Sequence, residues 1–104
     1  MVQYGSLWSF RRYNFEAQSR PMKLAKYVKF REEKFGGVLF ETRSEKVFTL
    51  NPTATAVVRE IQAGSDERDI PVRLKARFRD DGGAIEREAQ AFIAELRQKG
   101  LVED

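Results

Sequence analysis

From Lys26 the chain alternates between apolar and polar positions. Val28 and Phe30 point one way, Tyr27 and Lys29 the other, which predicts a first strand over Lys26–Phe30. Glu32 to Gly37 reads as a polar break ending in Gly36-Gly37. Gly37–Thr42, with Val38, Leu39 and Phe40, is apolar enough for a central second strand. Arg43-Ser44-Glu45 makes a tight connection without the Asn-Gly or Asp-Gly signature of a two-residue hairpin. Lys46–Leu50 is the third strand. Short links between three adjacent strands predict an antiparallel meander.

Helical spacing follows. Asn51 is a good N-cap, and Pro52 takes the first helical position, where a missing N–H costs nothing. Ala54, Val57, Val58 and Ile61 recur at i, i+3, i+4 and i+7, and Gly64 stops the helix. In the second helix Ile70, Leu74 and Phe78 form the stripe. Pro71 is tolerated only in a first turn, so this helix begins near Asp69. Asp80-Asp81-Gly82-Gly83 is a turn. The third helix runs from about Ala84 to Lys99 with Ile85, Ala89, Phe92, Ile93 and Leu96 on one broad face. Gly100 closes it, and Leu101 folds back on Leu96. The order β-β-β-α-α-α predicts an α+β fold: a three-stranded antiparallel sheet followed by three helices.

Before Pro21 no period dominates. Tyr4, Trp8, Phe10, Tyr13 and Phe15 are mixed with Ser, Gln and Arg. Residues 1–21 are an aromatic and basic extension, either partly ordered against the domain or an arm that binds a partner. Pro21-Met22-Lys23 also reads as a natural start, so residues 22–104 are the domain.

Composition narrows the chemistry. The chain has 104 residues, enough for one small domain, and neither cysteine nor histidine. Those two absences exclude disulfides, thiolate zinc sites, cysteine nucleophiles and the usual neutral-pH general base. The expected reading is not an enzyme, with no cofactor. No apolar run approaches the roughly 20 residues that span a bilayer, and Met1–Phe10 lacks a secretory core. The cytoplasm is the expected address, with no membrane partner.

The net charge of +3 is unevenly placed. Residues 1–35 hold eight Lys/Arg against three acids, whereas the third helix and tail are acidic. Basicity therefore does not reside on a helix fit for a DNA groove. Gly36-Gly37 lacks the Lys-Ser pair of a phosphate loop, and Asp80 and Asp81 would repel an anion from Gly82-Gly83. Glu88 and Glu95 share one helix flank near Lys99, which reads as a solvated face with an i,i+4 Glu95–Lys99 pair rather than a metal site. Arg73, Lys75, Arg77 and Arg79 likewise read as a charged outer face.

The informative feature is the edge of the sheet. If the strands keep sequential order, the third strand is an edge, a row of unpaired backbone donors and acceptors. It is β-prone, with Val47, Phe48 and Thr49, and carries only Lys46 as a blunting charge. Such an edge can accept an extended peptide as a fourth strand. A tail or a second copy could equally cover it.

Three segments in order carry a family resemblance: Lys34-Phe35-Gly36-Gly37-Val38-Leu39-Phe40, then Leu50-Asn51-Pro52-Thr53-Ala54 opening a helix, then Phe92-Ile93-Ala94-Glu95-Leu96-Arg97-Gln98-Lys99-Gly100-Leu101-Val102. Over about residues 26–102 the chain resembles the PqqD-like family, also called the RiPP recognition element. This family comprises peptide chaperones of pyrroloquinoline quinone and mycofactocin biosynthesis. The resemblance implies a winged-helix-like arrangement and no catalysis. It implies binding of the leader part of a ribosomally made precursor peptide, presented to a modifying enzyme, often a radical SAM protein of the SPASM type. The leader adds to the third strand, in the groove against the third helix.

Carried onto this chain, the resemblance puts Lys46, Val47, Phe48 and Thr49 on one side of the groove and Phe92, Ile93 and Arg97 on the other. Ile93 lies at the margin of the apolar face, where it either floors the groove or belongs to the core. The alternatives are a winged-helix-like nucleic-acid binder, which the acidic third helix disfavours, and an adaptor that dimerises through the edge strand or the amino-terminal arm.

Overall fold

The computed structural model describes residues 21–78 and 82–104. The extension before Pro21 and the Asp80-Asp81 half of the expected turn, with Arg79, lie outside the described residues. The elements in chain order are β1 (Lys23–Leu24), β2 (Val28–Glu33), β3 (Gly36–Glu41), β4 (Lys46–Leu50), α1 (Pro52–Gln62), α2 (Ile70–Phe78), α3 (Ala84–Gln98) and β5 (Val102–Glu103). Strands β2, β3 and β4 form an antiparallel sheet in sequential order, so the expected meander is present. The three helices follow it. No described helix is long and apolar enough to cross a membrane.

The first strand starts later than the alternation suggests. Val28 N–H donates to the Ala25 carbonyl, so Lys26 and Tyr27 lie in a turn and pairing begins at Val28. Nor is Glu32–Gly37 a break: Glu33 pairs with Gly36, leaving only Lys34-Phe35 as the connection. The glycines serve close approach. A Cβ on Gly36 would sit 2.1 Å from the Leu50 carbonyl oxygen, and one on Gly37 would sit 2.8 Å from the Phe30 ring. Side chains at either position would push β3 off the start of α1.

The second connection lacks glycine, and Glu45 accepts the left-handed conformation instead, at φ 63°. Glu41 organises this turn. Its carboxylate accepts the amide hydrogens of Arg43 and Ser44 at 2.8 and 2.9 Å. The Ser44 amide foremost, with burial opposing it, holds the Glu41 carboxyl below its ordinary range; the Arg43 amide and guanidinium act in the same direction.

Helix α1 begins as its local sequence demands. The Asn51 carboxamide oxygen accepts from Ala54 N–H at 2.8 Å, and Pro52 follows. Val57, Val58 and Ile61 are fully buried against the inner face of the sheet and α2. Thr55 is also buried, and among the described residues its hydroxyl oxygen has no hydrogen-bond partner. An unmade hydrogen bond in an apolar site costs about 1–3 kcal/mol. Thr55→Val removes the polar atom at constant shape and is expected to stabilise the domain by about 1 kcal/mol in urea unfolding.

Helix α2 opens one residue beyond Asp69, with Pro71 in its first turn as expected. Ile70 and Leu74 are in the core, but Phe78, the last member of the expected stripe, is 37% exposed. Helix α3 is entered from Gly83 and left through Gly100, both with positive φ. Leu101 N–H then donates to the Leu96 carbonyl at 3.0 Å, and the Leu101 side chain is buried. The chain continues into β5, which pairs antiparallel with β1 through Lys23–Glu103 and Leu24–Val102. Two-residue strands have no period to read, so this clasp is absent from the sequence pattern.

Candidate functional site

Strand β4 leaves half of its backbone groups unused by the sheet. Thr42 N–H donates to the Tyr27 carbonyl at 2.9 Å. Along an antiparallel strand, hydrogen-bonding groups alternate between the two neighbours. Thr42, Phe40 and Val38 therefore bond toward β2, while Glu41, Leu39 and Gly37 bond toward Lys46, Phe48 and Leu50 of β4. The intervening residues Val47 and Thr49 turn N–H and C=O away from the sheet. Among the described residues β4 has β3 as its one strand neighbour, so it is an edge of the sheet they form.

The other edge, β2, differs. Four of its six residues, Lys29, Arg31, Glu32 and Glu33, are charged, and Arg31 is paired with Glu33 at 2.5 Å. That is a guarded edge. On β4 the one charged residue is Lys46.

Beside β4 lies a groove whose second wall is α3. At one end Asn51 donates its side-chain amide to the Glu88 carboxylate at 3.2 Å. At the other the Tyr27 hydroxyl donates to the Gly100 carbonyl at 2.7 Å, with the Arg43 guanidinium stacked 3.6 Å over the Tyr27 ring. Helix α3 therefore runs antiparallel to β4 and is tied at both ends. Between the ties is a hollow of about 210 Å³. Phe48 and Phe92 wall it, Leu39, Ala54, Leu96 and Leu101 floor it, and Glu95 and Lys99 rim it. Phe48 and Phe92 are only partly buried, so their rings still offer apolar surface.

The structure brings together some of the sequence-derived residues and separates others. Phe48, Thr49 and Phe92 line the groove. Lys46 shares the helix-facing side of β4 with Phe48, whereas Val47 puts its side chain on the outer face beside Phe40. Ile93 and Arg97 are elsewhere. Ile93 is 4% exposed, in the core, and with Arg97 borders a different hollow, toward Glu67 and Pro71. Arg97 is held by Glu67 and by Asp104, and Glu67 foremost raises its pKa further above the ordinary guanidinium value. It links α3 to the loop before α2.

Glu95 and Lys99, which pair at 3.5 Å, are the groove residues that sequence reasoning placed on a solvated face. They do form the expected i,i+4 pair. The signal for their second role was their spacing from Phe92, three and seven residues on, which puts all three on one side of the helix.

A family model described as Coenzyme PQQ synthesis protein D (PqqD) matches residues 36–102. The chain belongs to the PqqD family. The match runs from the first residue of β3 into β5, so the edge strand, the groove and the helix beside it all lie inside the family's span. Two solved structures share the fold. One is "Lasso peptide synthetase B1 complexed with the leader peptide", 22% identical, covering 82% of this chain and 100% of its own, with a TM-score of 0.69. The other is "TbiB1 in Complex with the TbiA(beta) Leader Peptide", 21% identical, covering 78% and 94%, with a TM-score of 0.68. No curated protein matches the chain.

Proposed function

We propose that this PqqD-family chain is a non-catalytic binding protein for the leader segment of a ribosomally made precursor peptide. The leader adds to β4 as a fourth strand and places apolar side chains in the groove between Phe48 and Phe92. Lys46, Val47, Phe48, Thr49 and Phe92 belong to this site, with Glu95 and Lys99 at its rim. Ile93 and Arg97 support α3 from its other side. The observation that carries the reading is an edge strand that no described segment covers, with outward backbone groups at Val47 and Thr49, directly beside an apolar hollow.

The two similar structures are described as leader-peptide complexes, which supports the same occupant here. Backbone hydrogen bonds supply affinity, and the hollow supplies selectivity. Function follows from tethering. A bound leader holds the remainder of the peptide near a modifying enzyme at an effective concentration that short linkers bring to about millimolar. The enzyme is a radical SAM protein of the SPASM type, the peptide-binding unit is residues 22–104, and the work is done in the cytoplasm.

The test is titration of fluorescently labelled leader segments, taken from short reading frames beside the gene, into the full chain. Saturable binding is expected, and Phe92→Ala weakens it about tenfold by removing one wall of the hollow. Absence of binding by every such leader, with and without the neighbouring enzyme, overturns the proposal.

A further inference from the structure

The outer face of the sheet carries an apolar pair, Phe40 and Val47, that the groove does not use. By register, Lys29, Phe40 and Val47 lie side by side across β2, β3 and β4 on the face turned away from the helices. Val47 is 60% exposed and Phe40 37% exposed, and with Val38 and the basic side chains of Lys29 and Arg31 they border a shallow hollow of about 400 Å³. No described helix packs on this face. The row ends at the open edge, where Val47 is its last member.

We infer that a peptide strand seated on β4 is gripped on both faces, with a β-branched or aromatic side chain laid beside Val47. The inference rests on strand addition at β4 and deepens it. Successive side chains of a strand point to opposite faces. If one residue of the added strand enters the groove beside Phe48, the residue next to it must emerge on the outer face, in line with Val47 and Phe40. A neighbour across an antiparallel pair has its Cβ about 4.5–5.5 Å away, within contact of Val47. The partner peptide therefore carries apolar residues at consecutive positions, one for each face, rather than a simple alternation. An amphipathic strand with one polar face would fill the groove and leave the outer row wet.

Random twelve-residue peptides displayed on phage, panned on the full chain, test this. Val47→Pro, which removes the outward N–H, reports strand addition itself; Val47→Asp and Val47→Thr report the outer face. Thermal melting and light scattering accompany each variant. Enriched peptides are expected to pair a groove residue with an adjacent apolar one. Val47→Asp should weaken them about fivefold, Val47→Thr less. Changing the adjacent apolar residue to Lys should restore binding to Val47→Asp.

If Val47→Pro abolishes binding while Val47→Asp leaves it unchanged, strand addition stands and the two-faced grip falls. Insensitivity to Val47→Pro, or failure to enrich any peptide, removes strand addition and the inference with it. A free chain that is dimeric, and becomes monomeric on Val47→Asp, assigns the face to a second copy and overturns the proposal.

Discussion

Val47→Pro is expected to weaken leader-peptide binding about thirtyfold while the chain stays folded. Proline is tolerated on an edge strand where its N–H would face solvent, because no ladder hydrogen bond is lost there. Val47 is such a position: the bonds of β4 to β3 run through Lys46, Phe48 and Leu50. In the complex the same substitution has a different cost. The added strand loses a donor, and its own carbonyl is left against the proline ring. A buried acceptor without a partner costs about 1–3 kcal/mol, and about 2 kcal/mol corresponds to the stated loss. Isothermal calorimetry gives the affinity, and urea unfolding checks the fold. The control is Phe48→Pro, which removes an inward donor and should unfold the hairpin instead. Equal peptide affinity in Val47→Pro and the parent chain would show that binding does not use the β4 backbone.

Gly36→Ala is expected to destabilise the domain by about 3 kcal/mol, near the upper end of overpacking costs. The added methyl would lie 2.1 Å from the Leu50 carbonyl oxygen and 3.2 Å from its carbonyl carbon. Both are backbone atoms, so no side-chain rotation relieves the contact. The neighbour that must shift is Leu50 at the end of β4, which leads directly into Asn51, the cap of α1. Because that end of β4 borders the groove, peptide affinity should fall together with stability. For a domain of this size the melting temperature should drop by more than about 10 °C. Gly82→Ala is the matched control, since a Cβ there meets nothing within 4 Å. Similar melting of the Gly36→Ala chain and the parent would mean that β3 and β4 are not held at this separation.

The contrast between these glycines shows how far the chain could be read unaided. Gly36-Gly37 looked like punctuation in a polar break, because a glycine pair beside charged residues usually marks a turn. Their actual role depends on Leu50, fourteen residues away, and on Phe30 and Thr55. The β3–β4 connection shows the converse. Its length was legible, but the left-handed conformation of Glu45 was not, because turn chemistry without glycine gives no local sign of positive φ. Ile93 and Phe92 make the same distinction on α3. They are adjacent in sequence and both apolar, yet a rotation of about 100° per residue sends one into the core and the other to the groove wall.

Local pattern alone specifies the third strand with its bounds, the Asn51-Pro52 helix start, Pro71 in a first helical turn and the Gly100 stop. Each is decided by alternation, capping or backbone freedom within a few residues, which needs no tertiary context. It also established that β4, if left at an edge, would carry little to guard it. Whether it was at an edge, which side chains stood opposite it, and that Val47 and Phe40 lie side by side and exposed on the far face were decided by the tertiary structure. Those properties are distances between residues far apart in the chain. Burial in a small domain is settled by how whole elements pack, not by the preference of any one segment.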